Sequence, residues 1–335
     1  MTACIIVERG WRTKHFGIRT VISYFISNLK ARFGCEVKLI ELSAGDVGFS
    51  SDEELADIYS SDINLISCPW IVSSLGTSIP NSIGIVIDIA PILAHFGVLD
   101  IKCSSSIFPF HMQHVTGYSY YNKNCSSLLF ISEESRWQYY WLFGHDLPEN
   151  DVLIPFDFFA VGNVEERNYD IGLVNVFDER KNFSSVIQSI RKLAISNISV
   201  IVAGEIRIPA VEEQLANLPQ GVTVTRSFES VERIMKKSKV LLFPTHYEGL
   251  GLPILEAQQH GTPVISGRCG YIDDLNMCSE LVVDPNDVAQ IAVVLNGAIR
   301  EHRRLSERVQ EGFLQFCTKM TDKQGRVWEK ILDCR

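Results

Sequence analysis

Pro244-Thr245-His246-Tyr247-Glu248-Gly249-Leu250-Gly251-Leu252-Pro253-Ile254-Leu255-Glu256-Ala257 is the stretch on which the fold turns. Just before it, Val240-Leu241-Leu242-Phe243 is a continuous apolar run of the kind that fills a strand buried on both faces, and Pro244 closes it. A loop with two glycines follows. A helix then opens with Pro253 at its first position and ends with Gly261 just beyond it, the expected proline-in, glycine-out punctuation. A strand–loop–helix of this form leaves the N–H groups of Gly249, Leu250, Gly251 and Leu252 facing outward at the positive end of the helix dipole, a ready site for an anion. The glycines remove Cβ atoms where a ligand approaches the backbone. Glu248 beside that site and Glu256 one turn into the helix are ionised carboxylates, which only accept hydrogen bonds and so suit ligand hydroxyls.

The surrounding sequence repeats the same unit. Runs at Ile171–Val174, Ser199–Ala203, Val222–Thr225 and Val264–Ser266 read as further strands. Helical periodicity falls between them at Phe183–Ile195, Ala210–Leu218 and Val231–Ser238. Alternation of this kind predicts a doubly wound parallel sheet with its ligand at the C-terminal ends of the strands. The first half shows the same pattern. Ala3–Val7 is a strand, Gly10–Gly17 a polar loop, Val21–Phe33 a helix stopped by Gly34, and Val37–Ile40 the next strand. Others lie at Ile63–Ser67, Ile83–Ile87 and Leu128–Ser132. The tail from Ala289 reads as helical, with Gly325 as an interruption. The predicted organisation is an N-terminal Rossmann-like domain over 1–155, a linker over 156–170, a ligand-binding Rossmann-like domain over 171–310, and a helical tail over 311–335 that packs back on the first domain.

Bulk properties bound the function. A chain of 335 residues exceeds what one core supports. A net charge of −9 argues against nucleic acid as a partner, since such proteins carry a basic surplus. The N-terminus enters a short strand directly, with no secretory leader pattern. The longest apolar stretch, Ile83–Leu99, contains Asp88, Pro91 and His95 and is shorter than a membrane span. Nine cysteines without a C-x-x-C pair read as reduced thiols in a cytoplasmic protein.

Glu248 and Glu256, with seven residues between them in Glu-Gly-Leu-Gly-Leu-Pro-Ile-Leu-Glu-Ala, resemble the signature of the retaining glycosyltransferases of family 4, mannosyltransferase-like members of glycosyl transferases group 1 with the GT-B fold. The resemblance continues through Gly261-Thr262-Pro263-Val264-Ile265 to Val283-Asp284-Pro285-Asn286-Asp287. It implies two Rossmann-like domains facing a cleft and a nucleotide-diphosphate sugar as donor. Glu248 would lie by the donor sugar and phosphates, Glu256 on the ribose hydroxyls, and the amides of the glycine loop on the sugar and diphosphate. Arg180-Lys181-Asn182-Phe183 is similar to the segment whose basic residues neutralise the leaving diphosphate, so that no metal or other cofactor is expected. The family's common arginine five positions before that lysine is Val176 here.

The first half departs from the family. Of the usual glycine pair after the first strand, only Gly17 remains, in Phe16-Gly17-Ile18-Arg19; it and Asp88 are the donor-side candidates there. The strand that usually ends His-Asp-Leu has Ile87 at the histidine position and keeps Asp88. Ser132-Glu133-Glu134-Ser135-Arg136 matches loosely, and the usual Pro-Asn-Gly is Pro155-Phe156-Asp157. The aromatic run from Phe108 through Tyr118, Tyr120 and Tyr121 either lines an acceptor groove or packs locally. Arg9, Arg12, Lys14, Arg19, Lys30 and Arg32 either form a solvated face or rest on an anionic membrane surface. The resemblance implies transfer of a hexose-type sugar to a glycan, lipid-linked or protein acceptor. Ile87 leaves open an impaired subunit that binds a sugar nucleotide or a partner transferase, and an epimerase or phosphorylase shares the fold.

Overall fold

The computed structural model describes all residues except 15, 88, 97–110, 145, 160–165, 175–178, 194–196, 205–208, 228–229, 271 and 334–335. The chain divides into two units, Met1–Asp157 with Asp322–Arg335, and Phe158–Thr321.

Unit 1 runs β1 (Thr2–Glu8), α1 (Trp11–Lys14), α2 (Phe16–Phe33), β2 (Glu36–Leu42), α3 (Asp52–Ser60), β3 (Ile63–Ile66), β4 (Ser82–Val86), α4 (Ala90–His95), α5 (His111–Asn124), β5 (Ser127–Phe130), α6 (Glu133–Phe143) and β6 (Glu149–Val152). Its strands form one sheet in the order β2-β1-β3-β4-β5-β6, all parallel. Ile5 stands between Leu39 and Leu65 across the ladder. A strand so placed is covered on both faces, which is why Ala3 to Val7 is apolar without alternation and wholly buried. The sheet order reverses between β1 and β3.

Two sequence readings change in unit 1. The segment Gly10–Gly17 is not an open loop, because Trp11 is buried and starts a helical turn, and α2 begins at Phe16. Gly17 therefore lies in the first turn of a helix, with open space where a Cβ would stand. Phe108 to Phe110 of the aromatic run lie outside the described residues, and Tyr118, Tyr120 and Tyr121 are buried. Tyr118 and Tyr121 are fully buried in α5, and Tyr118 meets the Tyr139 ring edge-on at 5.1 Å. α2 stops as Gly34 foretells, its last carbonyls taken by Gly34 N–H on Lys30 (3.0 Å) and Cys35 N–H on Leu29 (3.2 Å).

Unit 2 runs β7 (Tyr169–Val174), α7 (Phe183–Arg191), β8 (Ile198–Ala203), α8 (Pro209–Ala216), β9 (Val222–Arg226), α9 (Val231–Lys237), β10 (Ser238–Phe243), α10 (Leu252–Gln259), β11 (Val264–Gly267), α11 (Ile272–Leu275), β12 (Val282–Val283), α12 (Val288–Arg300) and α13 (His302–Asp333). The sheet order is β12-β11-β10-β7-β8-β9, again parallel throughout. This is the Rossmann order, and its switch point lies between β7 and β10. α7 shows why its sequence is helical. Phe183, Val186, Ile187 and Ile190 recur on one face and enter the core formed with Ile171, Val200, Val240, Ile291 and Leu295.

α13 runs through Gly325 without interruption, contrary to the sequence reading. One glycine costs about 1 kcal/mol in a helix, and the stripe of Val309, Phe313, Met320, Val327, Trp328 and Ile331 buries far more than that offsets. From Asp322 onward the helix belongs to unit 1. Trp328 packs there on Phe25 at 5.6 Å, and Gln324 accepts from the Tyr24 hydroxyl at 2.9 Å while donating to the Ile154 carbonyl at 2.5 Å. Among the described residues no helix is long and apolar enough to cross a membrane.

Candidate active site

The switch point of unit 2 gathers two loops. The one after β7 carries Arg180 and Lys181 in a single 3-10 turn, and the one after β10 carries Thr245 to Gly251. They are stitched together by backbone and side chain alike. The Arg180 carbonyl accepts from the His246 N–H at 3.0 Å. Asn182, buried and in the left-handed region at φ 56°, donates through Nδ2 to the carbonyls of Pro244 (2.9 Å) and Pro285 (2.5 Å). One side-chain amide thus fixes the ends of three βα connections relative to one another.

At the centre stands Glu248. Lys181 Nζ is ion-paired with and donates to its Oε1, the Arg180 guanidinium lies 3.8 Å from its Oε2, and the Thr245 hydroxyl is 3.2 Å from Oε1. Lys181 also sits 5.1 Å over the Phe243 ring. The side chains of Lys181 and Glu248 are 8% and 10% exposed. Burial alone would push the Glu248 carboxyl up, but Lys181, Arg180 and the hydrogen bonds from Lys181 and Thr245 outweigh it and hold the group below the usual carboxylate range. Lys181 and Arg180 thus both face this one carboxylate.

Gly251 caps α10 at φ 86°, a conformation a side chain rarely adopts, so glycine is required there. α10 starts at Leu252 and Pro253 is its second residue, one position later than the sequence suggests. Among the described residues, the N–H groups of Leu250, Gly251 and Leu252 meet no protein acceptor, as expected of a helix start that no side chain caps. Glu256 differs from Glu248. No hydrogen bond or ion pair reaches its carboxylate among the described residues, and desolvation pushes it up to about 7.

Seven of the sequence candidates therefore lie in the two loops after β7 and β10 and at the start of α10: Arg180, Lys181, Glu248, Gly249, Leu250, Gly251 and Leu252. Glu256 follows one turn into α10. Gly17 lies in unit 1 on α2, and Asp88 and Val176 lie outside the described residues. Sequence reasoning missed Thr245, Asn182 as a brace, and Gly267, where an added Cβ would stand 2.1 Å from the Thr245 carbonyl. It also passed over Arg167, inside the linker predicted over 156–170. Arg167 donates to the carbonyls of Ser238 (2.5 Å) and Gly261 (2.8 Å) and to Thr262 and Ser306 (2.6 and 3.0 Å), and burial lowers it to about 10. A buried arginine cannot be told from a solvated one by composition alone. Among the described residues no group of three or more His, Cys, Asp or Glu could hold a metal ion.

Two parallel doubly wound units, the second with a cation–carboxylate cluster beside a helix N-terminus at its switch point, define a GT-B architecture. Residues 168–300 match the family described as Glycosyl transferases group 1. The chain is similar to granule-bound starch synthase 1 of Pisum sativum (24% identical over 185 residues, 48% of this chain and 30% of that protein). It is also similar to 2-deoxystreptamine N-acetyl-D-glucosaminyltransferase of Niallia circulans (31% over 153 residues, 41% of this chain and 39% of that protein). The chain thus spans well under half the length of these relatives. Across 99% of both chains its fold superposes on Alr3699/HepE of Anabaena, solved in complex with UDP-glucose, with a TM-score of 0.73 at 12% identity.

Proposed function

We propose that the chain is a retaining glycosyltransferase of family 4. In this reading it moves a hexose-type sugar from a nucleotide-diphosphate sugar to a glycan, lipid-linked or protein acceptor, without a metal or other cofactor. The observation that carries the reading is the Arg180–Lys181–Glu248 cluster at the mouth of β7 and β10, beside the free N-terminus of α10. Breaking the anomeric C–O bond places negative charge on the β-phosphate. Fixed cations and amides that need not reorganise stabilise that charge as it develops. The glycine-loop amides of Gly249 to Leu252 hold the diphosphate, Glu248 accepts from sugar hydroxyls, and Glu256 accepts from the ribose. That relatives act as glycosyltransferases by name, and that HepE was solved with UDP-glucose, supports the same class of donor.

Retention follows from front-face attack in this proposal, the acceptor hydroxyl entering on the side the diphosphate leaves. Gly17 and Asp88 are proposed as further donor-binding residues. A cytoplasmic location, a peripheral rest on an anionic membrane through the basic residues near α2, and the lack of a nucleic-acid partner belong to the same proposal. One observation favours a second reading. Ile87, just past β4, stands where the family resemblance implies a histidine, which fits an impaired subunit that binds a sugar nucleotide or a partner transferase.

A thermal-shift screen with UDP, GDP and ADP, repeated in excess EDTA, tests the donor site, because a ligand that binds only the folded state raises its melting temperature. One of the three is expected to stabilise the chain in EDTA as well as without it. Stabilisation by none of them, or only after manganese or magnesium is restored, refutes the metal-independent donor site.

A further inference from the structure

The cations that the proposed function reserves for the diphosphate are already engaged by Glu248. Lys181 and Arg180 both face Glu248, with Lys181 donating to Oε1 and Arg180 3.8 Å from Oε2. The Thr245 hydroxyl lies 3.2 Å from the same Oε1 and is itself fully buried. An arriving diphosphate therefore meets cations that a fixed carboxylate already partly neutralises. Like charges in a site this shielded repel far more strongly than they would in water.

From this geometry, and resting on the donor-site reading above, we infer that Glu248 is the internal counter-anion of the diphosphate subsite and makes the site discriminate between sugar-bearing donors and bare nucleoside diphosphates. The distinction follows from hydrogen-bond inventory. When Lys181 turns to a phosphate, Glu248 loses its best donor. A sugar nucleotide brings hydroxyls that can replace it, since an ionised carboxylate needs donors and hydroxyls supply them. A bare diphosphate brings none and leaves an ionised, buried carboxylate facing another anion, which is costly. The penalty falls on the product of transfer and not on the donor, so the same residue that receives the sugar helps expel the spent nucleotide. Arg180 and Thr245, which stay on Glu248, limit the penalty and keep the carboxylate in place.

The test is calorimetric binding of one base series, chosen by the thermal-shift screen, to wild type, Glu248→Gln and Glu248→Asp. The series comprises the nucleoside, its monophosphate, its diphosphate and its diphosphate sugar. Glu248→Gln removes the negative charge and keeps the shape. It should tighten the diphosphate by tenfold or more, tighten the monophosphate less, and leave the nucleoside within twofold. The diphosphate sugar should gain clearly less than the bare diphosphate, because a neutral amide is a poorer acceptor for its hydroxyls. Glu248→Asp keeps the charge and should bind the diphosphate within about threefold of wild type. Raising the salt should shrink the gain of the Gln variant. If Glu248→Gln does not fold, Glu248→Ala carries the same charge change and the same expectation. Equal or weaker diphosphate binding in a folded neutral variant overturns the inference while leaving the donor site standing. Absence of diphosphate binding to all three proteins overturns the donor site, and the inference with it.

Discussion

Replacing Glu256 with glutamine should stabilise the unliganded protein at alkaline pH and at the same time remove its grip on nucleotide. The Glu256 carboxyl is half-buried, has no protein partner among the described residues, and is pushed from its ordinary 4.5 to about 7 by desolvation. An acid whose folded pKa is raised binds more protons in the folded state than in the unfolded one between those two values. Folding stability therefore falls as pH rises from about 4.5 through about 7, and the whole penalty is present above pH 8. At about 1.4 kcal/mol for each decade of proton affinity, the full penalty is about 3 kcal/mol, and solvent reaching the open side of the carboxylate trims it to about 2 kcal/mol. For a unit of this size that corresponds to about 4–8 °C in Tm. Melting curves of wild type and Glu256→Gln from about pH 4 to about pH 8.5 should lie close together at the acid end and diverge to that extent at the alkaline end. Nucleoside diphosphate affinity of wild type should rise roughly tenfold from pH 6 to 8 as the carboxylate ionises near 7. In the Gln variant that part of the pH dependence should vanish, leaving only the nucleotide's own titration. A Gln variant no more stable than wild type at pH 8.5, or a pH dependence of binding identical in the two proteins, refutes the reasoning.

The Arg180→Ala, Lys181→Ala double variant should lower kcat on the order of 100-fold or more, with little change in KM for donor, in steady-state assays, because the cations act on charge that grows toward the transition state. Asn182→Gly keeps the left-handed backbone but frees the carbonyls of Pro244 and Pro285; chemical denaturation should show a loss of about 2 kcal/mol, and kcat should fall further than KM rises. Arg167→Met strands buried carbonyls at the end of α10 and should cost about 3 kcal/mol in the same measurement while donor affinity per folded molecule stays unchanged. As pH falls, Glu248, whose carboxyl is held low by Lys181 and Arg180, should retain its stabilising ion pair down to its depressed pKa and lose it below. A Glu248→Gln variant should therefore narrow its stability deficit to wild type only at acid pH.

The fold was largely legible because buried parallel strands announce themselves as unbroken apolar runs, and Val240–Phe243 and Ala3–Val7 do so plainly. β6 and β12 escaped notice for a physical reason. Each is an edge strand, two to four residues long and partly polar in the case of β6, where a ladder on one side suffices and burial dictates little. Gly325 misled because local propensity was weighed without the tertiary contacts of Trp328 and Gln324, which decide that turn of α13. At the site, Glu248 shows through its spacing to Glu256, and Lys181 and Arg180 through the resemblance of their segment to the family's; the structure brings the three into one cluster. Thr245 and Asn182 were not singled out, since a threonine and an asparagine become braces only when the chain folds three loops onto their donors. Asn182 left one trace, because asparagine at a strand-to-helix junction is among the few residues that tolerate φ 56°.

The central claim is that the cluster after β7 and β10 activates a nucleotide sugar for transfer. The direct measurement is release of nucleoside diphosphate from UDP-, GDP- and ADP-sugars, followed by phosphorus NMR in excess EDTA without acceptor, for wild type and for the Arg180→Ala, Lys181→Ala variant. The account predicts slow cleavage of one donor class by wild type, with the β-phosphate signal of the free diphosphate growing in, and a loss of about 100-fold or more in the variant. A donor that stabilises the protein in thermal shift yet is cleaved no faster than in buffer, or is cleaved equally well by both proteins, would contradict it.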